Sequence, residues 1–232
     1  MRVESDRPME NGGFLHLNPD ADKALYIHKN EPSKPTIDWK AKFAEWGMST
    51  TVDKVIAHGE SLGVDPMALK LLGIAWAEEH RAWAYPMCDG TGKVTGARIR
   101  NEHSDKWAHP GSRQGLFIPE MEHRWRMFVA EGPTDTAAAL TIGLYCIGRP
   151  SCNGCEQMVV DMCKWLWIKE VVIIADRDTP GQLGAEKLQD RLKVKSIIYT
   201  PDGKDIRECV KNGLTAELVN LSIKDQQWTY PK

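Results

Sequence analysis

The sequence predicts an α/β protein: a Rossmann-like parallel sheet with flanking helices, preceded by a small mixed α+β subdomain. Three features point there. After Glu122, the apolar runs "RMFVAEG", "LYCIG", "VVIIAD" and "SIIYT" alternate with amphipathic segments, the pattern of parallel strands joined by crossover helices. Before Glu122, aromatic residues at helical spacing give way to two extended runs around Asp89-Gly90-Thr91-Gly92, turn residues able to supply the positive φ of a hairpin. The composition, 42% hydrophobic and 27% charged over 232 residues, is that of a globular chain with room for one large domain or two smaller ones.

Residues 1–35 are rich in Asn, Asp, Gly, Pro and Lys without a sustained period, and read as a flexible arm or linker. They contain no apolar h-region, and no run in the chain nears the roughly 20 apolar residues of a membrane span, so a cytoplasmic protein with no membrane partner is expected. His16 and His28 lack the partners of a zinc ribbon. The six cysteines are expected as reduced thiols. No zinc is expected at Cys152-Asn153-Gly154-Cys155 either, because the second ligand pair is missing.

Residues 36–121 form the first subdomain. Trp39, Phe43 and Trp46 recur at helical spacing, and Val52, Val55 and Ile56 begin a second helical run. Asp65 before Pro66 caps a third helix, whose apolar face is Ala68, Leu71, Leu72 and Ala75. The hairpin follows, then loops at Gly111, Ser112 and Gly115, then a strand end at Phe117-Ile118-Pro119. Residues 122–222 carry the alternating pattern, with helices at 134–141, 156–168, 181–192 and 206–212, and residues 223–232 are a tail.

The chemistry is suggested by where the apolar runs stop. "RMFVAEG" ends at Glu131, and "VVIIADRDTPG" stops at Asp176 with Asp178 two residues on, facing the same side if the chain stays extended. Strand ends of an open parallel sheet converge on a crevice where ligands bind. Crowded carboxylates repel one another and are stabilised by a cation, and hard oxygen ligands suit Mg²⁺ or Mn²⁺. The plainer reading is that a strand-ending Asp caps the next helix, and that Asp135 answers the helix dipole.

Taken together, Glu131, Asp135, Asp176, Asp178 and Gly181 resemble the TOPRIM motif of topoisomerases, bacterial-type primases and some nucleases, in which a Glu-ended strand precedes a strand ending in D-x-D. The resemblance covers residues 122–222 and implies a metal-binding domain for phosphoryl transfer on nucleic acid. Upstream, "AWAYPMCDGTGKVTGARIR", "DKWAHPGSRQGLF" and "FIP" look like the polymerase-core subdomain of bacterial, phage and plasmid primases. "IGRPSCNG", "GKDIREC" and "NGLT" resemble segments of phage-type primase TOPRIM domains.

That resemblance implies synthesis of short RNA primers on a single-stranded DNA template from ribonucleoside triphosphates. It places metal on Glu131, Asp176 and Asp178, and has Asp135 and Asp205 orient the site or hold a further ion. Net charge is −2, so nucleic acid must meet a local basic patch, and Lys93, Arg98, Arg100, Lys106 and Arg113 provide one. Arg98 and Arg100 share a strand face suited to adjacent phosphates, or are simply solvated. Lys106 with Trp107 resembles the primase Lys-aromatic pair; Trp107 either stacks on a base or is buried, and Gly111-Ser112-Arg113 is either a phosphate nest or a turn. Arg207 stands where related primases commonly have a further acid. A replicative helicase or zinc-ribbon module acting in trans is the implied partner. The alternatives are a TOPRIM-type metal-dependent nuclease and a single-stranded nucleic-acid-binding replication accessory without catalysis.

Overall fold

Two sheets share one apolar interior, and the alternation of side chains along the parallel strands shows how. The computed structural model describes residues 37–231, so the expected arm at 1–35, with His16 and His28, lies outside the described residues. β5 (Arg126–Glu131), β6 (Cys146–Arg149), β7 (Glu170–Ile174) and β8 (Lys195–Tyr199) pair in parallel in the order β6-β5-β7-β8. Phe128, Ala130, Val172, Ile174, Ile197 and Tyr199 pack on one face, and Met127, Val129, Ile147, Val171 and Ile173 on the other. Successive side chains of a strand point to opposite faces, so a sheet covered on both sides needs unbroken apolar runs.

Helices α5 (Glu156–Trp165) and α6 (Thr179–Arg191) cover the second face through Val159, Met162, Cys163, Ala185 and Leu188. Helices α4 (Gly132–Thr141), α7 (Ile206–Lys211) and α8 (Ala216–Lys224) cover the first. The same cluster takes in Val55, Leu69, Tyr85 and Phe117 from the N-terminal half, so a boundary at residue 122 does not separate two cores. α8 and the bridge between Ser196 and Thr229 carry the packed structure beyond residue 222, with Ile223 buried.

The N-terminal half is built on α1 (Trp39–Met48), α2 (Val52–Leu62), α3 (Pro66–Leu71) and an antiparallel sheet. That sheet runs β1 (Ala75–Ala77), β2 (Ala82–Cys88), β3 (Val94–Asn101) and β4 (Lys106–Ala108) in sequential order. One face is a stripe of small residues, Ala75, Ala77, Ala82, Ala84 and Ala97, with Ile99; the short side chains make room for Trp39 and Trp46 of α1. Trp46 also donates from Nε1 to Glu79 (2.8 Å).

Some expectations change. Ala75 belongs to a strand because Gly73, at φ +66°, turns the chain after α3; that helix buries Ala68 and Leu69, and its C-cap residue Leu72 is buried beside them. Phe117-Ile118-Pro119 forms no strand: Leu116 and Phe117 make single bridges to Cys88 and Gly148, and Pro119 has no amide to extend them. These bridges lace the two sheets together. α5 stops at Trp165, because Trp167 takes a left-handed φ of +55°. The six cysteines are free, and no helix among the described residues is long and apolar enough to cross a membrane.

Gly148 lies where the sheets meet, and a Cβ there would collide with Thr136 Oγ1 and come within 2.9 Å of Phe117. Overpacking of this kind costs about 1–3 kcal/mol, so Gly148→Ala should lower the midpoint of thermal unfolding by roughly 2–12 °C; an unchanged midpoint in calorimetry would refute this packing.

Candidate active site

β5 connects outward to β6 on one side and β7 continues to β8 on the other, so the crevice at the carboxyl ends of β5 and β7 is the switch point of the sheet. Gly132, at φ +79°, turns the chain sharply out of β5, and Pro133 starts α4. Glu131 is the N-cap residue of α4, but its side chain makes no capping bond, which leaves the carboxylate free. Asp135 lies one turn in, with its Oδ1 buried and without a hydrogen-bond partner. Asp176 follows β7, its carbonyl held by Gln182 Nε2 at 2.7 Å, and Gly181 leaves space for it where a Cβ would come within 3.1 Å of the Asp176 Cβ.

Two of the acids have the plainer duty as well. Asp178 caps α6, its Oδ1 accepting from Gly181 N at 2.8 Å, and Asp205 caps α7, accepting from Glu208 N at 2.7 Å. Asp205 Oδ2 also lies 3.6 Å from Arg207. Arg177 turns outward to Asp202 and the Pro201 carbonyl.

Electrostatics joins these residues. Burial, then Asp205 and Asp176, push the Asp135 carboxyl up to about 7, against the pull of Arg207 and Lys106. Burial, then Glu131, Asp205 and Asp178, push Asp176 up to about 6. Asp176 therefore senses Glu131, Asp178 and Asp205, and Asp135 senses Asp176 and Asp205, across the ends of two strands and three helices. These acids do not form a closed cage: among the described residues, no three His, Cys, Asp or Glu side chains group tightly enough to hold a metal ion alone.

The basic ledge is narrower than the sequence suggests. Arg100 pairs with Lys106 across β3 and β4, and Arg98 lies two residues along on the same face. Burial, then Arg100, lower the Lys106 pKa, with Arg207 and Arg98 adding to the effect and Asp135 opposing it. Lys106 thus stands between the cations and the acids. Trp107 pairs with Ile99 on the opposite face and packs toward the α1 cluster, edge-on to His80, so it is not part of this ledge. Lys93 closes the hairpin turn, its N–H bonded to Asp89, and the Arg113 N–H pairs with Thr95; neither is among the main charges acting on Lys106, Asp135 or Asp176.

Several residues that border the site were not singled out from the sequence. A cleft of about 850 Å³ lies between α2, the antiparallel sheet and α7, lined by Lys54, His58, Trp76, Trp83, Arg100, Asp205, Arg207 and Lys211 among others. His58 stacks on Trp83 at 4.6 Å and shares a hydrogen bond with the Tyr85 hydroxyl at 2.7 Å. Arg149, buried at the end of β6, pairs in register with Glu131 and donates to the Cys152 carbonyl. The period-two placement of Trp83 and Tyr85 was the available sign that β2 turns an aromatic face away from its alanines.

No protein-family model matches the sequence, and no curated protein is similar to it. Solved structures are similar in fold. A DnaG catalytic core superposes with a TM-score of 0.61 at 14% identity, over 82% of this chain and 79% of that one. The zinc-binding and RNA polymerase domains of the Aquifex aeolicus primase give 0.66 at 17% identity, over 82% of this chain and 60% of that one. A DnaG primase catalytic domain bound to single-stranded DNA gives 0.57 at 14% identity, over 75% and 73%. The chain has the fold of a primase catalytic core.

His58 yields a pH prediction. Burial, then Arg100, hold its pKa down at about 4, against 6.5 for a free imidazole. The unfolded chain therefore binds the proton first, and stability is lost as pH falls from 6.5 to 4, by up to about 3 kcal/mol. Urea midpoints at pH 7 and pH 5 should show a smaller loss in His58→Gln than in the wild type; equal losses would contradict it.

Proposed function

We propose that this chain is the catalytic core of a DNA primase, making short RNA primers on single-stranded DNA from ribonucleoside triphosphates. The observation that carries this reading is the crevice between β5 and β7, where Glu131, Asp135, Asp176, Asp178 and Asp205 act on one another and Lys106 and Arg207 stand against them. The fold shared with primase cores supports it.

The residues suit Mg²⁺ or Mn²⁺. Mg²⁺ commonly takes one or two protein carboxylates and fills its shell with water and substrate phosphates, so a three-acid cage is not required. The side chains of Glu131 and Asp176 make no capping bond and no ion pair among the described residues, and Asp135 Oδ1 is buried without a partner. In this proposal Glu131, Asp176 and the free oxygen of Asp178 hold the ion. When bound, it would neutralise charge on the phosphate oxygens and on the departing pyrophosphate.

The remaining residues bind and orient. Arg100, Lys106 and Arg207 hold the phosphates of the incoming nucleotide, and the cleft wall of Trp76 and Trp83 faces its base or the template. The primer 3′-hydroxyl attacks the α-phosphorus and gives up its proton to water, the bond to the bridging oxygen breaks, and pyrophosphate leaves. Asp205 fixes Arg207 through their 3.6 Å contact, and Asp135, buried at the start of α4, couples electrostatically to Asp205, Asp176 and Lys106. The proposal includes a cytoplasmic setting, and a replicative helicase or zinc-ribbon module in trans as partner.

Purified protein given Mg²⁺ or Mn²⁺, single-stranded DNA and labelled ribonucleotides should yield short RNA. Asp176→Asn should reduce the yield at least 100-fold, and Lys106→Ala about 10-fold with a raised KM for nucleotide. Degradation of the DNA when no nucleotide is supplied would instead establish a nuclease, and binding unaffected by Asp176→Asn with no turnover would establish an accessory protein.

A further inference from the structure

The parallel sheet is polarised. Its carboxyl ends hold the acids, whereas the first residue of each strand and the three residues before it hold five cations, Arg124, Arg126, Lys169, Lys193 and Lys195, and one carboxylate, Glu170. Glu170 is already engaged by Arg126 and Lys195, each at 2.6 Å. Arg124, Lys169 and Lys193 pair with no acid among the described residues.

The same edge exposes aromatic rings that a folded chain ordinarily buries. Trp125 is 58% exposed, Trp165 64%, Trp167 77% and Tyr230 67%. They lie on one built surface. The Trp125 carbonyl accepts from the amides of Lys169 and Glu170 at 2.7 and 3.2 Å, which ties it to the turn carrying Trp165 and Trp167. Arg126 lies over both Trp125 and Trp228, and Lys195 over both Trp228 and Tyr230, so rings and cations alternate along the edge. Lys169 lies 5.9 Å from the Trp167 ring. Trp167 is held at φ +55°, a costly conformation for a bulky residue, and presents its ring to solvent there.

We infer that this edge is a second binding site for single-stranded nucleic acid, with bases stacking on Trp125 and Trp167 and phosphates meeting Arg124, Lys169 and Lys193. Charge complementarity favours a polyanion over an apolar protein surface: the cations outnumber the acid five to one, and stacking on an exposed ring needs no particular base sequence. With strands rising about 3.3 Å per residue, the edge lies roughly 20 Å from the acids, so a long strand could engage both ends of the sheet. The site extends the primer-synthesis reading to the strand on which synthesis runs, but its test needs no turnover.

The test is binding of a fluorescein-labelled oligo-dT of about 25 nucleotides in EDTA and low salt, followed by anisotropy. EDTA removes any contribution from a metal at the acid crevice, so the outcome is separate from whether primers are made. Trp125→Ala with Trp167→Ala, and independently Lys169→Glu, should each weaken binding about 10-fold or more and reduce its salt dependence; circular dichroism would confirm that they fold. A strand carrying 5-iododeoxyuridine should photocrosslink to Trp125 or Trp167 in the wild type. Unchanged affinity in both variants with crosslinks elsewhere would overturn the site and leave the edge as a surface for a protein partner.

Discussion

Like charges brought close together at the ends of β5 and β7 are the constraint around which this molecule is arranged. Asp135 and Asp176 both hold their protons more tightly than free carboxylates because burial and neighbouring acids disfavour a second negative charge. Such a cluster persists only if the surroundings hold it in place and something positive answers it. Gly132 and Gly181 leave the backbone space to bring the acids in, and Lys106 and Arg207 supply part of the positive charge. In the proposed function, a metal ion with substrate phosphates would complement the rest.

The packing explains why part of the answer comes from the other half of the chain. Lys106 and Arg100 lie on the antiparallel sheet, and that sheet cannot shift relative to the parallel one without breaking a common interior. Tyr85 and Phe117 pack in the same cluster as Phe128, Ala138 and Ile174, and the bridges at Leu116 and Phe117 join β2 to β6. Cations and acids are therefore fixed in register by an apolar core some distance from either. The alanine stripe under α1 serves the same end, since it anchors the far face of the sheet and leaves the near face to Trp76, Trp83, Arg98 and Arg100.

Charge is also sorted along the length of the parallel sheet, acids at one end and cations at the other. If the proposed binding modes hold, a strand of nucleic acid would be drawn to the amino-terminal edge and accepted at the carboxyl end only where cations stand in front of the acids. The chain's small net charge conceals this separation.

The sequence by itself determined the parallel sheet, its helices, the hairpin and the acids, because each is a local signal. Strands buried on both faces must be apolar throughout, a hairpin needs turn residues, and Glu131 and Asp176 stand out because they end such runs. Three-residue strands such as β1 and β4 left no trace, being too short to show a period, and α8 went unnoticed behind the turn at Gly213. Only the tertiary structure decided which cations face the acids. Lys93 and Arg113 are as basic as Lys106, but strand register sets Lys106 beside Arg100 and Trp107 on the opposite face, and the packing of α7 brings Arg207 up to Asp205. Register and packing are contacts between residues far apart in sequence, and no local pattern encodes them.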